Sequence, residues 1–106
     1  MADFLGLMQQ AAELKSKMEA MQAELGNLEV EGAAGGGLVT VRLSGKGEVR
    51  GVNIDETLIK PAEKQVLEDL IVAAHADARR KAEALLQEKM KAFTGGLPLP
   101  PELKPF

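Results

Sequence analysis

Two apolar series, each stepping by seven, open the chain: Phe4, Ala11, Met18 and Leu25, and beside them Leu7, Leu14, Met21 and Leu28. Together they form an unbroken a/d heptad seam, which predicts one helix from Asp3 to about Asn27. Asp3 suits its start and Gly26-Asn27 its end. The period then drops to two. Leu28, Val30 and Gly32 alternate with Glu29 and Glu31, and Val39, Val41 and Leu43 alternate with Thr40, Arg42 and Ser44. Each set predicts a strand with one apolar face. In the next run Val49 is out of phase with Val52 and Ile54, and Gly51 lies at the slip, which predicts a bulge. Ser44-Gly45-Lys46-Gly47 predicts a tight turn between these strands. Helical spacing returns at Pro61, a favoured first position. Val66, Leu67, Leu70, Ile71, Ala74, Ala78, Ala82 and Leu85 carry it to about Phe93.

The expected fold is α+β, in the order α-β-β-β-α, with a three-stranded antiparallel sheet and two long helices. Residues 1–93 form one domain, and 94–106 form an extended Gly/Pro-rich tail, because "LPLPPELKP" cannot continue a helix. Both helices exceed the usual length of about 11–12 residues. One copy cannot cover that much apolar surface, so a symmetric homodimer is expected. The seam residues Phe4, Leu7, Ala11, Leu14, Met18, Met21 and Leu25 are its candidate contacts.

Composition narrows the function. The 106 residues hold no cysteine, which excludes a disulfide framework, a thiolate metal site and a cysteine nucleophile. No apolar run approaches the length of a membrane span, and no charged-then-apolar leader opens the chain, so a soluble, unexported protein is expected. His75 is the single histidine; placed one turn after Ile71, it reads as a packed or half-buried imidazole, and no metal or cofactor is expected. Glu68 and Asp69 are adjacent on a helix and diverge, so they form no acid/base pair. An enzyme is not expected.

Glycine beside lysine raises the question of a phosphate loop. Before Gly45-Lys46 the position that should be glycine is Thr40, and Gly47 follows them in place of Ser or Thr. Both glycine runs also lead into strands, whereas phosphate loops open helices. Gly35-Gly36-Gly37 is therefore expected to serve the backbone, through positive φ in a hairpin loop.

The formal net charge is −3. Acid is concentrated in the first third, and residues 79–91 hold five bases against two acids. Spacing predicts the i,i+4 pairs Asp77–Lys81 and Arg79–Glu83, which leaves Arg80, Lys89 and Lys91 spare. On composition alone this is a solvated helix face.

A resemblance shifts that weighting. The stretches "GGGLVTVRLSGKGEVRGVNID", "LEDLIVAAHADARRKAE", "EKMKAFTGG" and "LPLPPELKPF", with the opening "LMQQAAELKSKMEAMQAEL", resemble the YbaB/EbfC family of small nucleoid-associated proteins over nearly the whole chain. His75 and Ala76 depart from it, standing where many relatives have Phe and Asn. The resemblance implies a tweezers-like homodimer of the bacterial cytoplasm and nucleoid. It also implies binding of double-stranded DNA with little sequence preference, affecting nucleoid organisation and gene expression, with no membrane partner. Arg79, Arg80, Lys81, Lys89 and Lys91 are the first candidates for phosphate contact, followed by Arg42, Lys46 and Arg50. The alternative expectation is a coiled-coil-type interaction protein that docks on replication or recombination proteins through its seam or its Pro-rich tail.

Overall fold

A computed structural model describes residues 2–94 of the chain; the expected tail beyond Thr94 lies outside the described residues. The order is α1 (Ala2–Asn27), β1 (Glu29–Ala34), β2 (Val39–Ser44), β3 (Val49–Ile54) and α2 (Lys64–Thr94). Short 3-10 turns cover Gly35–Gly37, Glu56–Leu58 and Pro61–Glu63. The last of these is a departure from the expected helix start. Pro61 opens a separate turn, and the α-helical ladder begins only at Lys64.

The strands form an antiparallel meander in the order β1-β2-β3. Gly32 faces Val41, Val41 faces Val52, and Arg42 faces Gly51. Leu43 then faces Val49, so Arg50 is an extra residue and the expected bulge lies beside Gly51. The bulge restores Val49 to the face that Val52 and Ile54 share. Without it the strand's apolar residues would divide between two faces.

α2 lies across that face. Val39, Val41, Leu43, Leu58, Ala74 and Ala78 form the buried core, with Leu67, Leu70 and Ile71 packed against it. Each large aliphatic side chain so buried contributes about 1.5–3 kcal/mol. The approach is closest at Gly32. A Cβ there would meet the backbone of Ala74 and Ala78 well inside 3.0 Å. Small residues on the helix and glycine on the strand let two backbones touch. Gly45 serves the other junction: a Cβ there would lie 2.5 Å from the Leu25 carbonyl, so glycine lets β2 end against the last turn of α1.

The loops follow the expected backbone logic. Gly35, Gly36 and Gly37 have φ of +64°, +69° and +96°. Buried Ser44 accepts from the amides of Lys46 and Glu48, both at 3.2 Å, which holds the β2–β3 turn. Asp55 accepts from the Thr57 amide at 2.9 Å and its hydroxyl at 2.6 Å, and these bonds hold its carboxyl below the usual carboxylate range.

The molecule measures 72 × 26 × 16 Å. α1 meets the rest of the chain through its final turns. Leu25 is buried and Met21 half-buried, but Phe4 and Leu7 are 65% and 63% exposed, and Leu14 and Met18 are also in solvent. The heptad seam is thus divided: its end packs on its own chain and its first two-thirds does not.

Candidate nucleic-acid interface

The eight cations expected to meet phosphate fall into separate groups in space. The first lies where α2 passes the free edge of β1. That edge exposes the Ala33 amide and the Glu31 carbonyl. Asp77 accepts from the Ala33 amide at 3.0 Å, and Lys81 donates to the Glu31 carbonyl at 2.7 Å. Lys81 and Asp77 also pair with each other at 3.4 Å. One ion pair therefore closes both strand groups, and β1 offers no open ladder there for another strand. Asp77 is held below the usual carboxylate range chiefly by the Ala33 amide, with Lys81 and Arg80 adding to the effect.

Arg80 joins this clamp through Asp77, whereas Arg79, about 200° round the helix from Asp77, projects from the side turned away from the β1 edge. Arg79 pairs with Glu83 at 3.1 Å, and Arg80 with Asp77 at 3.3 Å, yet both arginine side chains remain 70% exposed. Exposed pairs of this kind contribute only about 0–1 kcal/mol. Their guanidinium groups can exchange a carboxylate for a phosphate at small cost.

A second group gathers around the last turn of α1. Arg50 donates to the Gly26 carbonyl at 2.6 Å. Lys89 pairs with Glu24, and that bond raises the ammonium above its ordinary range. The Lys46 chain lies against Gly26. Arg50 thereby places positive charge at the negative end of the helix dipole. Arg42 stands apart on the outer face of the sheet. It lies across Gly51, where a side chain would collide with its guanidinium, and its Nε is buried without a hydrogen-bond partner.

The expected pairs Asp77–Lys81 and Arg79–Glu83 are both present. The expected remainder is not. Arg80 and Lys89 are partnered as well, which leaves Lys91 as the exposed member of that helical run with neither ion pair nor hydrogen bond among the described residues. Arg80 reaches Asp77 by i,i+3 spacing, and Lys89 reaches Glu24 through the fold.

A third feature is apolar and was not among the sequence-based candidates. α2 covers β1 and β2 but leaves β3 open. Val41, Val49, Val52, Ile71, Val72 and His75 line a groove of about 260 Å³ there. Val72 is 70% exposed and Val49 58%. The signal in the sequence is Val72 itself, a valine off the stripe of Leu67, Leu70, Ile71 and Ala74. The half-buried imidazole expected of His75 is found on the groove wall.

The sequence profile of the YbaB/EbfC DNA-binding family matches residues 1–97. The chain belongs to that family. A nucleoid-associated protein of Rhodopseudomonas palustris strain BisB5 is 72% identical over 103 residues, covering 97% of each chain. One from Bradyrhizobium sp. strain BTAi1 is 67% identical over 101 residues, covering 95% of each. Among solved structures, an uncharacterized Helicobacter pylori protein, HP0035, aligns with a TM-score of 0.71 at 23% identity, covering 83% of this chain and 90% of that one. At that identity the likeness shows the shared α+β fold of this family member. Among the described residues no helix is long and apolar enough to cross a membrane.

Proposed function

We propose that this YbaB/EbfC chain binds double-stranded DNA as a homodimer in the nucleoid of the cytoplasm. It does so through Lys and Arg contacts to phosphate with little sequence preference, and thereby affects nucleoid organisation and gene expression. The observation that carries the proposal is the Arg79–Arg80 pair. Guanidinium groups from two successive residues stand 70% exposed, Arg80 beside the β1 edge and Arg79 further round the helix, on a helix whose seat is fixed by Gly32. Guanidinium matches phosphate geometry with parallel donors. Lys91, Lys46 and Arg50 supply further charge. Lys81 has a different role: its ammonium closes the β1 edge and positions Asp77 under Arg80. No aromatic ring stands among these cations, so base stacking contributes nothing there.

A second copy supplies a second Arg79–Arg80 pair. The groove over β3 supports that assembly. It is lined by five aliphatic residues and one imidazole, and β3 is the strand that α2 leaves uncovered. Closed two-fold pairing through one apolar face is the commonest form of soluble oligomer.

The test is duplex affinity measured by fluorescence anisotropy across a salt series, with two unrelated duplexes and one single strand. The expected result is equal affinity for both duplexes and a steep linear fall of log affinity with log salt. Salt-independent binding, or strong preference for one duplex, overturns the proposal.

A further inference from the structure

We infer that the free part of α1 pairs with the same part of another copy as a short antiparallel coiled coil, in a register set by Asp3 of each copy facing Lys17 of the other. This goes beyond the groove-mediated dimer and does not depend on it. The occupant is a second copy of this chain, identified by which seam positions are free and by where the charges flank them.

The seam offers Phe4, Leu7, Ala11, Leu14 and Met18, because Met21 and Leu25 are already packed on their own chain. Facing a and d positions in an antiparallel pair have residue numbers with a constant sum. The register that places Phe4 opposite Leu14 and Leu7 opposite Ala11 uses only free positions. It also sets large beside smaller side chains in both layers. The next register brings Met21 opposite Phe4, and the one after brings Leu25 opposite Leu7. Each calls on a side chain that the fold has already used.

The flanking residues choose the same register. Along one side of the seam run Asp3, Gln10, Lys17 and Glu24. With Phe4 opposite Leu14, Asp3 faces Lys17 twice and Gln10 faces Gln10. On the other side Met8, 57% exposed, faces its own counterpart. The next register sets Asp3 against Glu24, and the following one sets Lys17 against Lys17, so both carry like charges or lose the attractive pair. A parallel pair sets Asp3 against Met8 and Lys17 against Gln22, with no ion pair at all. Flanking charges of this kind fix orientation and partner more than they add affinity. None of the free seam residues is charged, and neither Asp3 nor Lys17 has a partner within its own copy among the described residues.

Two heptads make a weak contact, because short helices gain little on their own. The contact becomes effective when copies are held close together, since local concentration replaces bulk concentration. If groove dimers each carry two such arms, arm pairing links dimer to dimer. Two stretches of DNA, or two sites on one stretch, are then joined by protein alone.

The test uses the full chain and sedimentation velocity at low salt over rising concentration. The wild type should form species above the dimer that grow with concentration. Asp3→Lys, which sets lysine against lysine twice, should weaken that step roughly ten-fold, since exposed pairs each contribute about 0.2–1 kcal/mol. Asp3→Lys combined with Lys17→Asp should restore it. A wild type that stops at a dimer insensitive to Asp3→Lys overturns the inference, and so does a double variant no better than the single one. The register has its own readout, because the chain has no native cysteine. Mixed Leu7→Cys and Ala11→Cys proteins should form an intermolecular disulfide under mild oxidation, and neither alone should. Efficient crosslinking of Leu7→Cys with itself contradicts the antiparallel register. Val72→Glu separates the two contacts. If it removes the groove dimer, arm pairing must still give a weak dimer sensitive to Asp3→Lys; a strict monomer at high concentration refutes the arms and leaves the groove standing.

Discussion

Replacing Gly32 with alanine tests the seat of α2, on which the placement of Arg79 and Arg80 depends. The added Cβ would lie 2.2 Å from the Ala78 nitrogen and 2.3 Å from the Ala74 carbonyl oxygen, whereas ordinary contact begins at 3.4 Å, so the helix must retreat by about 1 Å there. The obstacle is helix backbone, not the end of a flexible side chain, so no rotamer change relieves it. Retreat loosens the layer in which Ala74, Ala78 and Val39 are fully buried and strains the Asp77–Ala33 and Lys81–Glu31 bonds. Overpacking of this kind costs about 1–3 kcal/mol, with the upper end expected where backbone blocks backbone. For a domain of this size about 3 kcal/mol lowers Tm by at least ~10 °C. Gly36→Ala is the control. Its φ is +69° and nothing lies within 4 Å, so only the left-handed backbone opposes it, at about 1–2 kcal/mol. Thermal unfolding of both variants, followed by circular dichroism at one protein concentration, decides. If Gly32→Ala melts within a few degrees of wild type, or no lower than Gly36→Ala, α2 does not rest on β1 as described.

Val72→Glu places a carboxylate on the groove wall, and sedimentation at micromolar concentration should show dissociation of the dimer with the helical signal kept; an unchanged dimer moves the interface elsewhere. Asp77 is depressed, so its charge stabilises the fold above pH 3.8 and this stability is lost as pH falls through the lower folded-state value. Asp77→Asn should therefore flatten part of the loss of stability on acidification below that pH, while Asp55 keeps its own share; a titration indistinguishable from wild type contradicts the Ala33 contact. Gly36→Ala should leave nucleotide affinity as it is in wild type, negligible by calorimetry, and tight ATP or GTP binding overturns the backbone role of the glycine loop.

Much of the fold was legible because its signals are local. Periods of seven, two and 3.6 mark α1, the strands and α2, and the phase slip beside Gly51 marks the bulge. The glycine loop could be read as backbone service because the phosphate patterns fail at Thr40 and Gly47. What could not be read was contact between distant segments. Lys89 meets Glu24 across 65 residues, and Arg80 meets Asp77 by a spacing that i,i+4 arithmetic omits, so neither is spare; Lys81 adds a bond to the Glu31 carbonyl across 50 residues. The seam gave helix and face but not which part of it the chain itself covers, because periodicity is blind to where the sheet ends. Val72 lies off the helical stripe, but its exposure is not legible in the sequence, since it depends on α2 crossing the sheet short of β3.

Whether Arg79 and Arg80 hold duplex DNA by its phosphates is tested most directly by charge reversal at both. Glu is a good helix former, and circular dichroism with sedimentation confirms a folded, assembled variant before binding is measured. Duplex affinity is then followed by anisotropy from low to physiological salt for wild type and Arg79→Glu/Arg80→Glu. Removing one phosphate contact should reduce the slope of log affinity against log salt by about 0.9. With two arginines per copy in a dimer, the variant should show a much shallower slope and weakened binding, equal for unrelated duplexes. A folded variant that binds duplex with the affinity and the salt slope of the wild type would show that these arginines are not the DNA contact.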